Sequence, residues 1–384
     1  MKANVRLGRI WNIPIGLNYS WFLIFGLATW SLALGIFPAA APALSPAAYW
    51  LMGALTSVLF FGSVLAHELG HALMALRHRV PVRAITLFFF GGVAEIAREP
   101  RSAGAEFRIA IAGPLVSVML AALFGALALL AGPNPYIAEP AAWLARINLV
   151  LAAFNMLPGF PLDGGRVFRA VVWQLTGSEL RATQVSTAVG QLVAAGFVGI
   201  GVLSALTGNV FNGLWLIFLG LFLNGAAAAS RQQAEMRQAL NGLTVGQLMN
   251  RTVLRVPSWV TAGDLLTPAT ISQGHRSFLV EDFGQVRGLL SLADAHRWPR
   301  LGWRRMKVGE LMTPHADLAV VTPDTDILAA LQTLEERGLP LLLVVDPYTG
   351  QVIGTLSSEQ ILNYLRWQSF LPGRPGRASS QPVA

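Results

Sequence analysis

The chain of 384 residues is 54% hydrophobic and only 12% charged, and it contains no cysteine. Soluble globular domains carry about 25% charged residues, so much of this chain is suited to a lipid bilayer. The missing cysteines exclude disulfides, thiolate metal sites and cysteine nucleophiles. The net charge of +8 does not indicate nucleic-acid binding, because the basic residues lie beside apolar spans and form no patch interleaved with aromatic residues.

The apolar residues are concentrated in the first part of the chain. Residues 10–230 are nearly all apolar, whereas 231–384 have the charge density of a soluble domain. We therefore predict a transmembrane domain at 1–230 and a linker at 231–241. Six segments are long enough to cross about 30 Å of hydrocarbon as helices. These predicted spans are 14–37, 48–76, 106–131, 141–174 (interrupted), 184–207 and 210–229.

The positions of the basic residues predict the orientation in the membrane. Six crossings place both termini on the same side. The connections 38–47, 132–140 and 208–209 contain no lysine or arginine, whereas the N-terminal segment and the connection 77–105 contain several and the connection 175–183 contains Arg181. Under the positive-inside rule, this asymmetry predicts a multi-pass protein of the cell membrane with both termini in the cytoplasm.

Residues 82–97, VRAITLFFFGGVAEIA, do not resemble a membrane helix. The segment is too short to span twice, is rich in β-forming residues and is interrupted by Gly91 and Gly92. This pattern predicts a β-hairpin. Open strands persist at membrane depth only where protein covers them or where they line a wet cavity. We therefore expect a membrane-associated hairpin that is covered by protein or lines such a cavity.

A second irregular segment interrupts the fourth predicted span. Residues 155–165 read NMLPGFPLDGG, and Pro158 and Pro161 must break any helix there because proline lacks an amide hydrogen. The segment also carries Asp163, and acidic residues inside a membrane usually belong to functional sites. The broken helix is therefore a candidate site.

The main chemical motif is His67-Glu68-Leu69-Gly70-His71, within the second predicted span. Residues four apart share one face of a helix, so both imidazoles can bind the same Zn²⁺ ion. Glu68 then lies beside the metal, where it can act as a general base on a water molecule. The motif predicts a hydrolytic zinc site with Glu68 as the catalytic residue.

A catalytic zinc usually has three protein ligands, so the two histidines need a third. No histidine after His71 lies within a predicted span, which leaves acidic residues. Glu95 lies on the hairpin, Glu106 at the start of a span and Glu139 in an outer connection. Only Asp163 combines membrane depth with an already distorted backbone, so it is the predicted third ligand.

The two motifs together resemble those of the site-2 protease family of intramembrane metalloproteases, over roughly residues 1–230. The resemblance implies that His67, His71 and Asp163 bind zinc and that Glu68 is catalytic. It also implies that Asn155 positions the substrate backbone or oxyanion.

The same resemblance extends to glycines of the transmembrane domain. The pairs Gly91-Gly92 and Gly113-Pro114 match recurring features of the family core, and we expect Gly91 and Gly92 to contact substrate. The family function is hydrolysis of a peptide bond in or near a transmembrane segment, here of a single-span membrane protein. A different possibility is a metal-ion channel or transporter, since broken helices and intramembrane carboxylates also occur there.

The soluble part contains an internal repeat. VGQLM at 245–249 recurs as VGELM at 308–312, and GQVRG at 284–288 recurs as GQVIG at 350–354. Each copy is a short α/β unit, which predicts one pseudo-symmetric body. The repeat resembles a pair of cystathionine-β-synthase-type (CBS) modules, here at 242–304 and 305–370. The tail 371–384 has the composition of a disordered segment.

The CBS resemblance suggests a regulatory ligand and a homodimer. CBS modules often end in a small hydroxyl residue followed three positions later by an aspartate, which contacts an adenine nucleotide. Ser291 and Asp294 match this pattern in the first copy, whereas Ser357 in the second copy is followed by Gln360. We expect one site for ATP, ADP or AMP, with a scaffold without ligand as the alternative. The full prediction is a polytopic α-helical membrane protease joined to a soluble α/β CBS pair.

Overall fold

The computed structural model describes residues 3–89, 91–96, 98–267, 270, 277–292 and 305–370. The chain forms two compact units, Met1–Ala234 and Glu235–Ala384. The first contains long apolar helices and one small sheet, and the second is an α/β unit. The predicted fold class is therefore confirmed.

Six helices of the described residues are long and apolar enough to cross a membrane. A seventh, amphipathic helix lies between the fourth and fifth of these spans. In chain order the seven are α1 Tyr19–Ala40, α2 Pro46–Arg77, α3 Ala103–Leu130, α4 Pro135–Asn155, α5 Asp163–Thr176, α6 Glu179–Leu206 and α7 Val210–Leu240.

Side-chain caps fix where several spans begin. Ser45 caps α2 by accepting a hydrogen bond from Ala48 N, and Ser102 caps α3 in the same way through Ala105 N. Such caps satisfy amide groups that have no partner within the helix. The predicted interrupted span at 141–174 is in fact two helices, because the two prolines separate α4 from the short α5.

The predicted hairpin at 82–97 is present, but it is only half of a larger sheet. Strands β3 Val82–Phe88 and β4 Gly91–Ile96 pair antiparallel, and they join β1 Val5–Ile10 and β2 Ile13–Leu17 in the order β1-β2-β3-β4. The first span was predicted to begin at residue 14, but Ile13–Leu17 is a strand and α1 begins at Tyr19. Strand β4 is an edge of this sheet.

Helices α2 and α3 approach closely because α2 has a glycine at the contact. A Cβ atom on Gly70 would lie 3.1 Å from Ala112 O and 2.9 Å from Val116 Cγ2. Small residues permit this spacing between membrane helices, where van der Waals packing replaces the hydrophobic effect as the source of helix association. The contact brings α3 against the helix that carries the HExxH motif.

The second unit repeats one α/β arrangement twice. Its described helices are α8 Val245–Leu248, α9 Ala262–Leu265, α10 Val308–Leu311, α11 Ile327–Arg337 and α12 Ser358–Phe370. Its strands are β5 Leu254–Val256, β6 Ser277–Asp282, β7 Gln285–Ser291, β8 Thr313–Pro314, β9 Val320–Val321, β10 Leu341–Val345 and β11 Val352–Ser357. The strand orders are β5-β6-β7-β8 and β11-β10-β9.

The two copies complete each other's sheets. Strand β8, from the second copy, pairs with β7 of the first, and Asn250 of the first copy exchanges two backbone hydrogen bonds with Thr355 in β11. Leu279, Leu289 and Leu343 belong to a hydrophobic cluster shared by both sheets. This reciprocal pairing agrees with the sequence repeat.

The predicted linker at 231–241 belongs almost entirely to helix α7, which continues to Leu240. Leu240 is fully buried in the core around α11 of the second unit. The unit boundary after Ala234 lies close to the predicted boundary after residue 230. The predicted tail 371–384 lies outside the described residues.

Candidate metal centre

Helix α2 directs both histidines of the HExxH motif to one point. His67 and His71 are 4% and 5% exposed, and their Nε2 atoms lie 3.2 Å apart. This proximity follows from the four-residue spacing on a helix. Two buried imidazoles with adjacent nitrogen atoms form the start of a metal site.

Asp163, the first residue of α5, completes the group. Its Oδ2 atom lies 3.1 Å from Nε2 of His67 and 3.1 Å from Nε2 of His71. Ligand atoms at about 2.0–2.2 Å from a tetrahedral zinc are separated by roughly 3.3–3.5 Å. The three atoms therefore need to separate only slightly to share one ion.

The outward ring nitrogens are held by α3. His71 Nδ1 lies 2.7 Å from Ile109 O, which can only accept, so Nδ1 carries the hydrogen and Nε2 of the neutral ring keeps its lone pair. His67 Nδ1 lies 2.8 Å from Ser117 Oγ. Such outer contacts fix the tautomer and ring orientation of metal-binding histidines. The donor set fits Zn²⁺.

Gly113 of α3 provides the space in front of the two imidazoles. A Cβ atom at this position would lie 2.7 Å from His67 Nε2 and would collide with His71 Nε2. Only a residue without a side chain leaves room for an ion there. The glycine therefore belongs to the site, although it supplies no ligand.

The loop between α4 and α5 holds Asp163 in position through close backbone packing. A side chain at Gly159 would collide with the backbone of Gly190 in α6. Ser186 Oγ donates a 2.6 Å hydrogen bond to Gly165 O, and Phe160 N donates to Ser186 O. The proline-interrupted segment is thus an ordered connection that is anchored to α6.

Glu68 lies beside the metal ligands and contacts the sheet edge. Its Oε2 atom accepts a 3.1 Å hydrogen bond from Ala94 N in β4. A Cβ atom on Gly92 would lie 2.5 Å from Glu68 Cγ, so the glycine leaves room for the carboxylate side chain. The strand therefore fixes the predicted general base.

A cavity of about 620 Å³ contains all the residues predicted to act on substrate. Asn155, at the end of α4, lines it, as do Gly91 and Gly92 of β4. Aromatic side chains from several elements form its apolar walls, namely Phe60, Phe61, Phe89, Phe154 and Trp215. Strand β4 and the two histidines therefore border the same cavity.

Glu106, considered above as a possible ligand, has a different role. It is fully buried, and its Oε1 atom accepts a 2.7 Å hydrogen bond from Arg169 Nε. Sequence reasoning missed Ser117 and the backbone of Ile109. The sequence does contain a pattern that could have indicated these contacts. A spacing of three or four residues places four residues on one face of α3, namely Glu106, Ile109, Gly113 and Ser117.

The predicted nucleotide site is only partly described. Ser291 is buried at the end of β7, while Asp294 lies outside the described residues. In the second copy, Gln360 Oε1 accepts a 2.7 Å hydrogen bond from Ser357 N. Gln360 therefore caps its own helix in the position where a nucleotide-binding aspartate was sought. The nucleotide site stays a prediction.

The fold and the site define a polytopic membrane zinc metallopeptidase of the HExxH type. The profile of Peptidase family M50 matches residues 55–135 and 132–197, and the profile of the CBS domain matches 308–366. The chain belongs to Peptidase family M50, the site-2 protease family. This membership decides against the channel or transporter alternative.

Several relatives share nearly the whole architecture. The chain is 33% identical over 371 residues to a candidate zinc metalloprotease of Synechocystis sp., covering 95% of this chain and 96% of the relative. It is 34% identical over 342 residues to the candidate zinc metalloprotease Rip3 of Mycobacterium tuberculosis, covering 88% and 87%. The solved site-2 protease of Methanocaldococcus jannaschii is 29% identical and covers 59% of this chain and 94% of that chain, with a TM-score of 0.42.

Proposed function

We propose that this enzyme hydrolyses a peptide bond in or near the transmembrane segment of a single-span membrane protein. The observation that carries the proposal is the position of the three ligand atoms. They lie in one cavity with Glu68, and the cavity is walled by side chains of membrane-crossing helices. A substrate segment in this cavity would contact its apolar aromatic walls as well as the catalytic groups.

In this proposal His67, His71 and Asp163 hold one Zn²⁺ ion. When bound, the ion would supply Lewis acidity toward a carbonyl oxygen and toward water near neutral pH. Glu68 takes the proton of the attacking water on its carboxylate and passes it to the leaving amine. Asn155, on the cavity wall, donates a hydrogen bond to the developing oxyanion.

The edge strand β4 provides the means of holding the substrate. Extended peptides bind exposed sheet edges through backbone hydrogen bonds, and membrane helices must unwind locally before they can do so. The Ala94 N–H points away from β3, because it donates to Glu68. A substrate carbonyl that accepts from Ala94 N would take the position of Glu68 Oε2, so substrate docking would free the base.

We further propose that both termini are cytoplasmic and that the second unit is regulatory. The basic connections support this orientation. Glu68 lies eight residues before Leu76, near the end of α2, which corresponds to roughly 12 Å along the helix. A short polar path from the cytoplasmic side would therefore supply water. The CBS pair would bind an adenine nucleotide and assemble as a homodimer. The nucleotide can change activity only if it binds the active and inactive states of the enzyme with different affinity.

The test is cleavage of candidate single-span proteins by the detergent-solubilised enzyme and by its Glu68→Gln variant. The amide preserves the size of the side chain but cannot accept the proton, so cleavage should fall at least about 100-fold while zinc content is unchanged. Asp163→Asn should instead lower zinc content. Full cleavage by Glu68→Gln would contradict the general-base role.

A further inference from the structure

A buried ion pair joins α3 to α5 outside the metal site. Glu106 is fully buried and Arg169 is 6% exposed. Two guanidinium nitrogens, Nε and Nη2, contact Glu106 Oε1, with Nε at 2.7 Å. The third, Nη1, donates a 3.2 Å hydrogen bond to Thr183 Oγ1 in α6. One side chain therefore holds three helices together.

The ion pair connects the two helices that hold the metal ligands in place. Glu106 lies one helical turn before Ile109, whose carbonyl oxygen accepts from His71. On the other side, Arg169 lies on α5, the helix that begins with Asp163. The pair thus connects the helix that orients the histidines to the helix that carries the third ligand.

The physical cost of the pair argues that it has a geometric role. Burying two charges has a large desolvation cost, and well-packed apolar residues often give equal or greater stability. Glu106 Oε2 even lacks a hydrogen-bond partner among the described residues. The planar guanidinium, however, has fixed donor directions, so its simultaneous contacts with Glu106 Oε1 and Thr183 Oγ1 constrain the spacing of the helices.

We propose that Arg169 and Glu106 are positioning residues that hold Asp163 Oδ2 where it shares a metal with both histidines. The proposal rests on the metal site described above. Without the pair, α5 is still tied to α6 through Ser186 and Gly165, but its connection to α3 is weakened. Loss of the ion pair should therefore weaken zinc binding before it lowers the stability of the fold.

The experiment compares Arg169→Lys and Glu106→Gln with the unmodified full-length enzyme. Lysine keeps the charge but cannot contact Glu106 and Thr183 together, and glutamine keeps the shape and one acceptor oxygen. The control is Glu179→Gln, because Glu179 Oε1 lies 3.8 Å from the same guanidinium but its side chain is 45% exposed. Exposed pairs of this kind contribute little.

Three measurements are made on each protein: the zinc dissociation constant by chelator competition, the visible absorption spectrum with Co²⁺, and the melting temperature without metal. We expect the zinc dissociation constant of both variants to rise about 10- to 100-fold, as for other outer contacts of metal ligands. The Co²⁺ spectrum should change as well, and Glu179→Gln should leave both unchanged.

If the Arg169–Glu106 pair only stabilises the fold, the experiment gives a different result. The melting temperature then falls, while zinc affinity stays within about twofold of the unmodified enzyme and the Co²⁺ spectrum is the same; this outcome overturns the proposal. If Arg169→Lys does not fold, the milder Glu106→Gln decides by the same criteria. An unmodified enzyme that binds no zinc would instead refute the metal site itself.

Discussion

Replacing Gly113 by alanine should weaken metal binding without unfolding the protein. The added Cβ atom would lie 2.7 Å from His67 Nε2 and would collide with His71 Nε2. The Cβ atom would therefore occupy space in front of the two nitrogens that the ion needs. The backbone of α3 needs no change, since alanine is the better helix former by about 1 kcal/mol.

The expected loss follows from the geometry. To make room, both imidazoles must rotate away from their favoured conformations, at about 0.5–1.5 kcal/mol for each ring. The rotations also weaken the hydrogen bonds to Ser117 Oγ and Ile109 O. Together the two rotations correspond to roughly a 5- to 150-fold loss of zinc affinity.

The assay measures zinc bound per chain after dialysis against a graded series of chelator concentrations, together with the melting temperature of the metal-free protein. Gly125→Ala is the matched control on the same helix, because its Cβ atom would lie 3.9 Å from Ala145 Cβ, an ordinary contact. It should keep full zinc affinity and melt at the same or a slightly higher temperature. Unchanged zinc affinity in Gly113→Ala would refute the proposed position of the ion.

Three further predictions concern the edge strand and the second unit. Ala94→Pro removes the amide that donates to Glu68 and should reduce cleavage far more than zinc content. Ala94→Gly keeps the amide and should cleave normally. Normal cleavage by the proline variant would contradict binding of the substrate at the edge strand. ATP should alter cleavage by the full-length enzyme, and Asp294→Ala should weaken that response. If calorimetry detects no binding of millimolar ATP to the enzyme, the second unit is a scaffold and the regulatory proposal is wrong. The backbone N–H groups of Thr349 and Tyr348 hold the pKa of the Asp346 carboxyl below its ordinary value. This carboxylate therefore stabilises the fold above its ordinary pKa of about 3.9, and the contribution is lost as pH falls through the lowered pKa of the folded state. Asp346→Asn should therefore lower the melting temperature more at pH 6 than near pH 3.

The helical spans could be predicted from the sequence because hydropathy and length alone define them. The HExxH motif and the proline-interrupted segment also indicated the ligand set, since each places an ionisable residue where a bilayer penalises it. These are local signals. They need no knowledge of which helices pack together.

The features that the sequence did not reveal depend on long-range pairing. Residues 14–17 are apolar enough to read as the start of a span, and only their pairing with β3 makes them a strand. Glu106 appeared as an isolated acid, because its partner Arg169 lies far along the chain. The role of Gly113 likewise depends on how closely α2 approaches α3.

The parallel pairing of β2 with β3 sets an order for biosynthesis. Ile15 pairs with Ile85, and the helices α1 and α2 lie between them in the chain. During translation β2 is made before β3 and has only β1 as a partner in this sheet until α2 is complete and β3 has left the ribosome. Two strands can pair only on the same side of the bilayer, so the segment between them must cross an even number of times. A chain in which only one of these helices is inserted would place β2 and β3 on opposite sides of the bilayer and divide the sheet into two separate hairpins. The complete four-stranded sheet would thus form only in correctly inserted chains.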